Sequence, residues 1–518
     1  MPRRRVFFWL TLGSGAFLLI LLLAIASWVP FSSETLRARV VATLADQLDA
    51  DVDLQALNLR VFPRFHAEGV GLTIRHDRRR DVPPLISVRR LTVDADFIGL
   101  FRRHVALVTL EGLDIEIPPG HDDRESGPAT DTRPSPERPG HDVVVDRLVA
   151  DDAQLVIVPG QANKRPKIWA IHALTMHNVG FDRAMPFDAT LTNAIPPGEI
   201  ATKGIFGPWR TPDPGATPLD GTFTFARADL GVFKGISGIL SAHGEFGGPL
   251  GRLGIHGETD TPDFTIAVSG HPVPLHTDYH ATVDGTNGDT RLDRIDATFL
   301  NTSLTAKGSV VDAPGQEGRT VTLDITMPKA RLEDVMRLAV KEAKPPMTGG
   351  LTLTTKFVLP PGEQDVVEKL RLDGEFAIAT ARFTSIDIQK KMNELSQRSR
   401  GAPNDTDGPS VASNFRGHFR LAGGTLGLQS LTFEMPGTVV RLTGTYKLKP
   451  EWLDFTGTLL MDAKISETQT GWKHLLLKVV DPLFSKQGGG SRIPIKIAGK
   501  RSDPSFGLDR SRIFHRSQ

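Results

Sequence analysis

The chain has 518 residues, long enough for two to four domains or one elongated one. Its 61 Lys plus Arg and 60 Asp plus Glu leave a formal net charge of +1, which argues against a dedicated nucleic-acid-binding protein. Because the sequence contains no Cys, it excludes disulfides, iron–sulfur clusters, Cys-bound zinc and thiol nucleophiles. The 50 Gly and 37 Pro residues indicate many turns, as in a β-rich protein.

A basic and then apolar segment at the start of the sequence predicts a transmembrane anchor. Arg3, Arg4 and Arg5 precede an uncharged run over 6–33, which as a helix is long enough to cross a hydrocarbon core of roughly 30 Å. The arginines should stay in the cytoplasm, so the chain after residue 30 is expected on the far side of the membrane. The residues expected in the anchor are Trp9, Leu10, Phe17, Leu18, Leu19, Ile20, Leu21, Leu22, Leu23, Ile25 and Trp28.

A cleavable signal peptide is the alternative for this segment. Ala24-Ile25-Ala26 resembles a cleavage site, and the basic-then-apolar order fits. The apolar stretch over 6–23 is longer than most signal-peptide cores, which favours an uncleaved anchor. No second run of this kind is present in the sequence, which argues against a polytopic channel or transporter.

The segment after the anchor predicts a helix and then strands. Ser32 and Ser33 can cap a helix that carries Leu36, Val40, Leu44 and Leu48 on one apolar face. The period then changes to two, which is typical of half-buried strands. The strands expected there are 51–54, 57–61, 69–74, 85–97, 105–117 and 143–158. Residues 118–141 lack an apolar period and are expected to form a loop or tether.

Short alternating runs separated by Gly, Pro, Asn and Asp continue from residue 168 onward and predict further strands. The helices expected among them are Leu230–Leu240, Leu332–Val340 and Ile388–Leu395. Residues 295–310 align without a gap with 431–446, at an offset of 431 − 295 = 136. Both segments read as strand, turn and strand, so they predict a repeated hairpin.

Each predicted strand has one polar and one apolar face. A second sheet could cover the apolar face, or the sheet could curl around something apolar. The 27 Phe against only 2 Tyr fit an interior that offers no hydrogen bonds, but an ordinary core would fit them equally well. Alternation alone leaves both solutions open.

The sequence resembles the AsmA-like family of Gram-negative envelope proteins. The basic N-terminus, single membrane helix, amphipathic helix and the strand Val52–Leu59 are similar to the start of that family. The segments similar to its C-terminal region are 372–376, 381–384, 388–396, 471–473, 481–484, 493–497, Gly499 and 503–507. The middle of the chain matches the family only in its β-rich texture.

The resemblance implies a mainly β fold in which a long, twisted, mostly antiparallel sheet forms a repeating, taco-like groove with a few short helices. It also implies a place in outer-membrane biogenesis. The expected regions are a cytoplasmic stub (1–5), the anchor (6–30), an N-terminal β region (31–117), a linker (118–141), a central groove region (142–345) and a C-terminal region (346–518). The candidates for groove-lining residues are Phe223, Phe225, Phe264, Ile266, Val268, Phe299, Phe376, Ile378, Phe419, Leu421, Leu431, Phe433 and Leu442.

Several polar clusters in the sequence are candidate sites of chemistry. His276, Asp278 and His280 alternate and could hold Zn²⁺ with a water, but a polar strand face is the favoured interpretation. Asp284 to Asp289 lacks the spacing of a calcium loop and predicts a tight turn. No phosphate-binding, G-x-S-x-G or H-E-x-x-H motif is present, so neither an enzyme nor a cofactor is expected.

The sequence therefore predicts a single-pass protein of the bacterial inner membrane with a periplasmic β-groove. Its expected partners are the inner membrane, a phospholipid or other acyl-chain lipid, and possible envelope proteins, but no nucleic acid. Its expected function is to bind acyl chains and support lipid transport between membranes. The alternatives are an envelope assembly scaffold or regulator without lipid transfer, and a hydrolase whose site lacks a recognised motif.

Overall fold

The structure is a computed structural model that describes most of the chain from residue 31 to residue 509. The predicted stub (1–5), anchor (6–30) and linker (118–141) lie outside the described residues. Among the residues that are described, no helix is long and apolar enough to span a membrane. The gaps within 31–509 are 33, 49, 62–63, 77–83, 97–98, 100–101, 103, 118–142, 158–166, 181, 211–212, 314–317, 402–410, 465–467, 469–488 and 502.

The described residues are mainly β, with 67% of them in strands and 12% in helices, so the described helices are too few to cover the strands. The strands form open, mostly antiparallel sheet, in which most pair with the next strand along the chain. This confirms the mainly β, mostly antiparallel fold with few helices that the sequence predicts. The chain divides into two compact units, which are described separately.

Unit 1 comprises Met1–Ala228, His243–Ile255 and Val283–Gly288. The helix predicted after the anchor is present, and the strands predicted up to residue 158 are present as β2 to β6. Buried Val88, Leu113, Ala150 and Ala153 form the core of this sheet. The elements are β1 Phe31–Ser32, α1 Glu34–Leu48, β2 Ala50–Arg60, β3 Phe65–His76, β4 Ile86–Ala95, β5 His104–Ile117, β6 Val144–Ile157, β7 Lys167–Val179, β8 Met185–Asn193, β9 Gly198–Phe206 and β10 Leu219–Asp229.

Unit 2 comprises Asp229–Ala242, His256–Thr282 and Asp289–Gln518. Strands β12, β13 and β14 contribute residues to both units. The elements are β11 Ile236–Ser237, β12 Ile239–Gly247, β13 Leu253–Ile266, β14 Val273–Val283, β15 Thr290–Phe299, β16 Thr302–Asp312, β17 Arg319–Arg331, α2 Leu332–Ala339, β18 Met347–Leu359, α3 Val366–Lys369, β19 Arg371–Phe383, α4 Ile386–Ser399, β20 Ser413–Ala422, β21 Thr425–Met435, β22 Thr438–Lys447, β23 Trp452–Met461, β24 Ser491–Lys500 and β25 Asp503–Leu508.

The core of unit 2 lies where α2 packs on the sheet. Buried Phe299, Met327, Leu332, Leu351 and Ile378 belong to one cluster, and the apolar side chains of α2 pack against it. Helix α4 contacts β19 and β22. The two helices predicted at Leu332 and Ile388 are therefore confirmed.

The helix predicted over Leu230–Leu240 is wrong. Only a short 3₁₀ turn forms at Leu230–Val232, and β12 already begins at Ile239. Gly235 and Gly238 have φ angles of 99° and 137°, which no right-handed helix can accommodate. The apolar residues of this segment recur at helical spacing, but the backbone angles of the two glycines are incompatible with a helix.

The predicted repeat is present as two hairpins, β15–β16 and β21–β22. Their strand pairings match at the offset of 136: Leu292 pairs with Gly308, and Leu428 pairs with Gly444. Both hairpins also have a register shift at the same place, between Leu292 and Ile295 and between Leu428 and Leu431. Because a bulge fixes strand direction and register, the two hairpins share one backbone design.

Candidate functional site

In unit 2, one face of the sheet from β18 to β22 carries apolar side chains on all five strands. Successive side chains of a strand point to opposite faces, and antiparallel pairing places the apolar positions of neighbouring strands opposite one another. We call this surface the C-terminal apolar face. Its residues are Leu351, Leu353, Phe357, Leu372, Phe376, Ile378, Phe415, Phe419, Leu421, Leu426, Leu428, Leu431, Phe433, Val440, Leu442 and Tyr446.

The strand register arranges these residues in rows that cross the strands. One row runs Leu351, Ile378, Phe415, Phe433 and Val440. The next row runs Leu353, Phe376, Gly417, Leu431 and Leu442. In the first row Leu351, Ile378 and Val440 are buried. All five residues of the second row are half-buried, so an apolar chain laid along that row would contact five strands in succession.

Aromatic rings pack against each other and over glycines within this face. The rings of Phe415 and Phe433 stack with centroids 4.6 Å apart, and those of Phe376 and Phe419 lie 6.2 Å apart. A side chain at Gly417 would place its Cβ 3.2 Å from the Phe376 ring. The glycine therefore lets the ring lie close to the sheet, which keeps the row continuous.

Several large side chains of the face are only half-buried. Phe376, Phe415, Phe433, Leu431 and Leu442 all retain solvent exposure. In a stacked sandwich, the inner faces of both sheets are buried against each other. Here α2 covers the face near β17 and β18, and α4 contacts the sheet at β19 and β22. Phe376 and Phe415 pack against the buried cluster beneath α2, whereas Leu431, Phe433 and Leu442 keep part of their surface in solvent.

The opposite face of the same strands is polar. Arg416 forms an ion pair with Glu434 at 2.6 Å, and Arg420 contacts Asp373 at 2.5 Å. The hydrogen bond from Arg420 holds the pKa of Asp373 below its usual range, and nearby His418 adds to this effect. Charged pairs of this kind are what a water-facing sheet surface carries. The two faces are thus chemically distinct.

Burial also affects the tyrosine of the C-terminal apolar face. Tyr446 lies opposite Leu426 and Leu453 in the strand register. Loss of hydration raises the pKa of its hydroxyl, and the carboxylate of Glu451 adds to the shift.

Seven of the predicted groove-lining residues lie together on the C-terminal apolar face. They are Phe376, Ile378, Phe419, Leu421, Leu431, Phe433 and Leu442. Ile378, Phe419 and Leu421 are buried, and the other four are half-buried. Phe299 lies in the core beneath α2 and is 3% exposed.

The other predicted residues lie elsewhere. Phe223 and Phe225 are half-buried on β10 of unit 1, where Phe223 stacks on Phe246 at 6.5 Å. Phe264 and Ile266 are half-buried near the end of β13. The strand expected to continue to Val268 ends at Ile266, so Val268 lies in a turn.

Sequence reasoning missed several residues of the C-terminal apolar face. Leu372 and Phe415 have the same parity as the predicted residues on β19 and β20. Leu351 and Leu353 of β18 lie opposite the predicted residues Ile378 and Phe376. Their alternation with Thr, Asp and Arg was visible in the sequence. Leu372 lies an even number of residues from Phe376 on β19, and Phe415 lies an even number from Phe419 on β20, so strand alternation assigns both to the same face as the predicted residues.

The structure arranges the candidate polar clusters of the sequence in different ways. His276 pairs with Asp260 at 2.7 Å, whereas Asp278 and His280 lie beside His256 of the neighbouring strand. The turn predicted at Asp284 is present, because its side chain accepts a hydrogen bond from the backbone N–H of Thr286. The three-residue cluster around Asp278 is the group in the described part of the chain that could hold a metal ion.

Comparison with known proteins does not identify the chain: no family model, no curated protein and no solved structure matches it. The resemblance to the AsmA-like family therefore stays a prediction.

Proposed function

We propose that this chain binds the acyl chains of phospholipids on the C-terminal apolar face and supports lipid transport between the membranes of the bacterial envelope. The observation that carries the proposal is the open row of half-buried Phe and Leu side chains, backed by a polar face. An acyl chain offers no hydrogen bonds and needs none from its binding surface. The row of Phe376, together with the neighbouring half-buried ring of Phe433, provides such a surface.

The favourable free energy of binding would come only from the burial of apolar surface. Each CH₂ group removed from water contributes about 0.8 kcal/mol. Five strands spaced about 4.8 Å apart give each row a length of roughly 19 Å, so several CH₂ groups can lie along it. Head groups would stay at the open edge in water. The sequence has no ATP-binding motif, so direction would come from a lipid gradient or a partner.

The proposed location is the bacterial inner membrane, with the bulk of the chain in the periplasm. The uncharged run over 6–33 behind Arg3, Arg4 and Arg5 supports it. Helix α1 begins at Glu34, directly after this run. The proposal therefore places α1 close to the membrane surface, where lipid would enter. In more detail, we propose that the strands form a repeating groove of the AsmA-like type and that the protein acts in outer-membrane biogenesis.

Site-specific photocrosslinking tests lipid binding in the full-length chain expressed in a Gram-negative cell. Benzoylphenylalanine replaces Phe433 on the C-terminal apolar face or, as matched control, Thr432 on the opposite face. We expect phospholipid adducts with the probe at 433 and not at 432, because adjacent residues of a strand face opposite ways. Adducts should disappear when Phe376→Asp accompanies the probe at 433.

The same experiment separates the proposal from an envelope assembly scaffold. Protein adducts at 433 without lipid adducts would show that a protein partner covers the face. Equal lipid labelling at 432 and 433 would show that the contact is not specific to the face. Either result would overturn the lipid-binding proposal.

A further inference from the structure

Two neighbouring strands of unit 2 bring together two histidines and an aspartate. His256 lies on β13, and Asp278 and His280 lie two residues apart on β14. The candidate ligand atoms of the three residues all lie within 4.8 Å of one another. His256 Nε2 is 3.6 Å from Asp278 Oδ1. The centroids of the His256 and His280 rings are 4.3 Å apart, and the angle between the ring planes is 80°.

The strand alternation explains why these side chains converge. Asp278 and His280 share one face of β14, and the intervening Tyr279 points to the other face. Tyr279 is half-buried. His256 and His280 are exposed and Asp278 is half-buried, so an ion can reach the cluster from solvent.

The spacing suits a small divalent ion. Zinc binds imidazole nitrogen at about 2.0–2.1 Å and carboxylate oxygen at about 2.0–2.2 Å, so tetrahedral ligand atoms lie roughly 3.4 Å apart. The separation of 3.6 Å between His256 and Asp278 is close to that value and too long for a hydrogen bond. Rotation of exposed side chains can shorten the longest separation.

The neighbouring pair His276 and Asp260 shows what an ordinary contact looks like on this surface. Their atoms are 2.7 Å apart, which is a direct hydrogen bond. The cluster around Asp278 instead brings three potential ligands together, with His256 near Asp278 and with the rings of His256 and His280 meeting edge to face. Arg294 is a nearby cation, but its guanidinium donates to Asp296 at 2.6 Å. This contact holds the guanidinium toward Asp296, although its charge still acts on Asp278.

We propose that His256, Asp278 and His280 form a binding site for a divalent transition-metal ion such as Zn²⁺. Two imidazoles and one carboxylate supply three ligands, and water fills the fourth position. The ion joins β13 to β14 by bonds that do not depend on the backbone ladder. The site is independent of the proposed lipid-binding face and stands or falls separately from it.

Metal binding is tested on the untagged full-length chain in detergent after treatment with a chelator. Titration with Zn²⁺ in a calorimeter should give one saturable site, and Co²⁺ should produce the visible absorption of a tetrahedral complex. Zn²⁺ should also raise the melting temperature, because a ligand that binds only the folded state stabilises it. We expect His256→Ala, His280→Ala and Asp278→Asn each to weaken binding at least about tenfold.

His276→Ala is the matched control, because it removes a histidine from the same face of the same strand but outside the cluster. Its affinity for Zn²⁺ should equal that of the wild type. The proposal is overturned if the wild type shows no saturable Zn²⁺ binding. It is also overturned if His276→Ala weakens binding as much as His280→Ala, since this would indicate general binding to surface histidines.

Discussion

The hairpins β15–β16 and β21–β22 have the same strand register and the same bulge but different apolar faces. Ala297 and Ala306 of the first hairpin are buried. The positions aligned with them in the second hairpin are Phe433 and Leu442, which are half-buried. The repeated backbone therefore does not determine how far the apolar face of each hairpin is buried. Small residues accompany a closed face in one copy, and large residues form an open face in the other.

The tips of the two hairpins are also held differently. Asp334 of α2 accepts hydrogen bonds from the backbone of Asn301 at 3.0 Å and from the Thr302 hydroxyl at 2.9 Å. At the second tip, Ser396 of α4 donates to the Pro436 carbonyl at 2.7 Å. A buried carboxylate holds one hairpin, whereas a neutral hydroxyl holds the other. The comparison predicts a graded series of effects on stability.

The largest effect is expected at the closed face. Phe299→Ala should lower the local free energy of unfolding by about 3–5 kcal/mol, because the ring is buried in the core under α2. Hydrogen exchange of the β15 and β16 amides would measure the loss. Phe433→Ala is the control and should cost clearly less in β21 and β22, because its ring is partly in water. Equal losses would show that both faces are closed.

The next effect is expected at the tip of the first hairpin. Asp334→Ala leaves the Thr302 hydroxyl and the Asn301 N–H without their acceptor, at a cost of about 2–3 kcal/mol. Ser396→Ala removes a neutral hydrogen bond and should cost only about 1 kcal/mol. Hydrogen exchange at the two tips distinguishes these values. A larger loss for Ser396→Ala would reverse the proposed ranking.

A third effect should be shared by both copies. Gly308 and Gly444 are aligned, and a Cβ at either would lie 1.9 or 2.2 Å from a carbonyl oxygen of the next strand. Gly308→Ala and Gly444→Ala should therefore each force the strands apart and cost about 1–3 kcal/mol. Thermal unfolding of both variants would show whether the two losses of stability are equal. A cost in only one hairpin would contradict the shared backbone design.

The sequence predicts the fold class because strand alternation and turn residues are local signals. The helices at Leu332 and Ile388 and the paired hairpins were predictable for the same reason. The helix expected over Leu230–Leu240 was not, because its glycines outweigh its apolar spacing. The end of β13 before Val268 likewise depends on where tertiary pairing stops.

The candidate sites depend more strongly on long-range register. Parity along β19 and β20 places Phe376 and Phe419 on one face without knowledge of the structure. The metal cluster shows the limit: the sequence suggested His276 as the third group, but the structure supplies His256 from the neighbouring strand. Residues 24 positions apart meet only because of the strand register, which alternation does not reveal.

The smallest and most discriminating effect concerns the aligned threonines Thr302 and Thr438. Both are buried, but the Thr438 hydroxyl finds no hydrogen-bond partner among the described residues, whereas that of Thr302 donates to Asp334. Thr438→Val exchanges an unpaired hydroxyl for a methyl group and should be neutral or stabilising by up to about 1 kcal/mol. Thr302→Val should instead destabilise the hairpin by about 1–2 kcal/mol, because it removes a donor from a buried carboxylate.

Measuring both variants by thermal unfolding and by hydrogen exchange at the two tips gives the sign of each change. The same substitution at aligned positions of one backbone design should then destabilise the first hairpin but not the second. This outcome would show that the helix contacting each tip, rather than the hairpin itself, determines the contribution of the threonine. Destabilisation by Thr438→Val equal to that by Thr302→Val would mean that the two tips are equivalent, and the contrast drawn between them would be wrong.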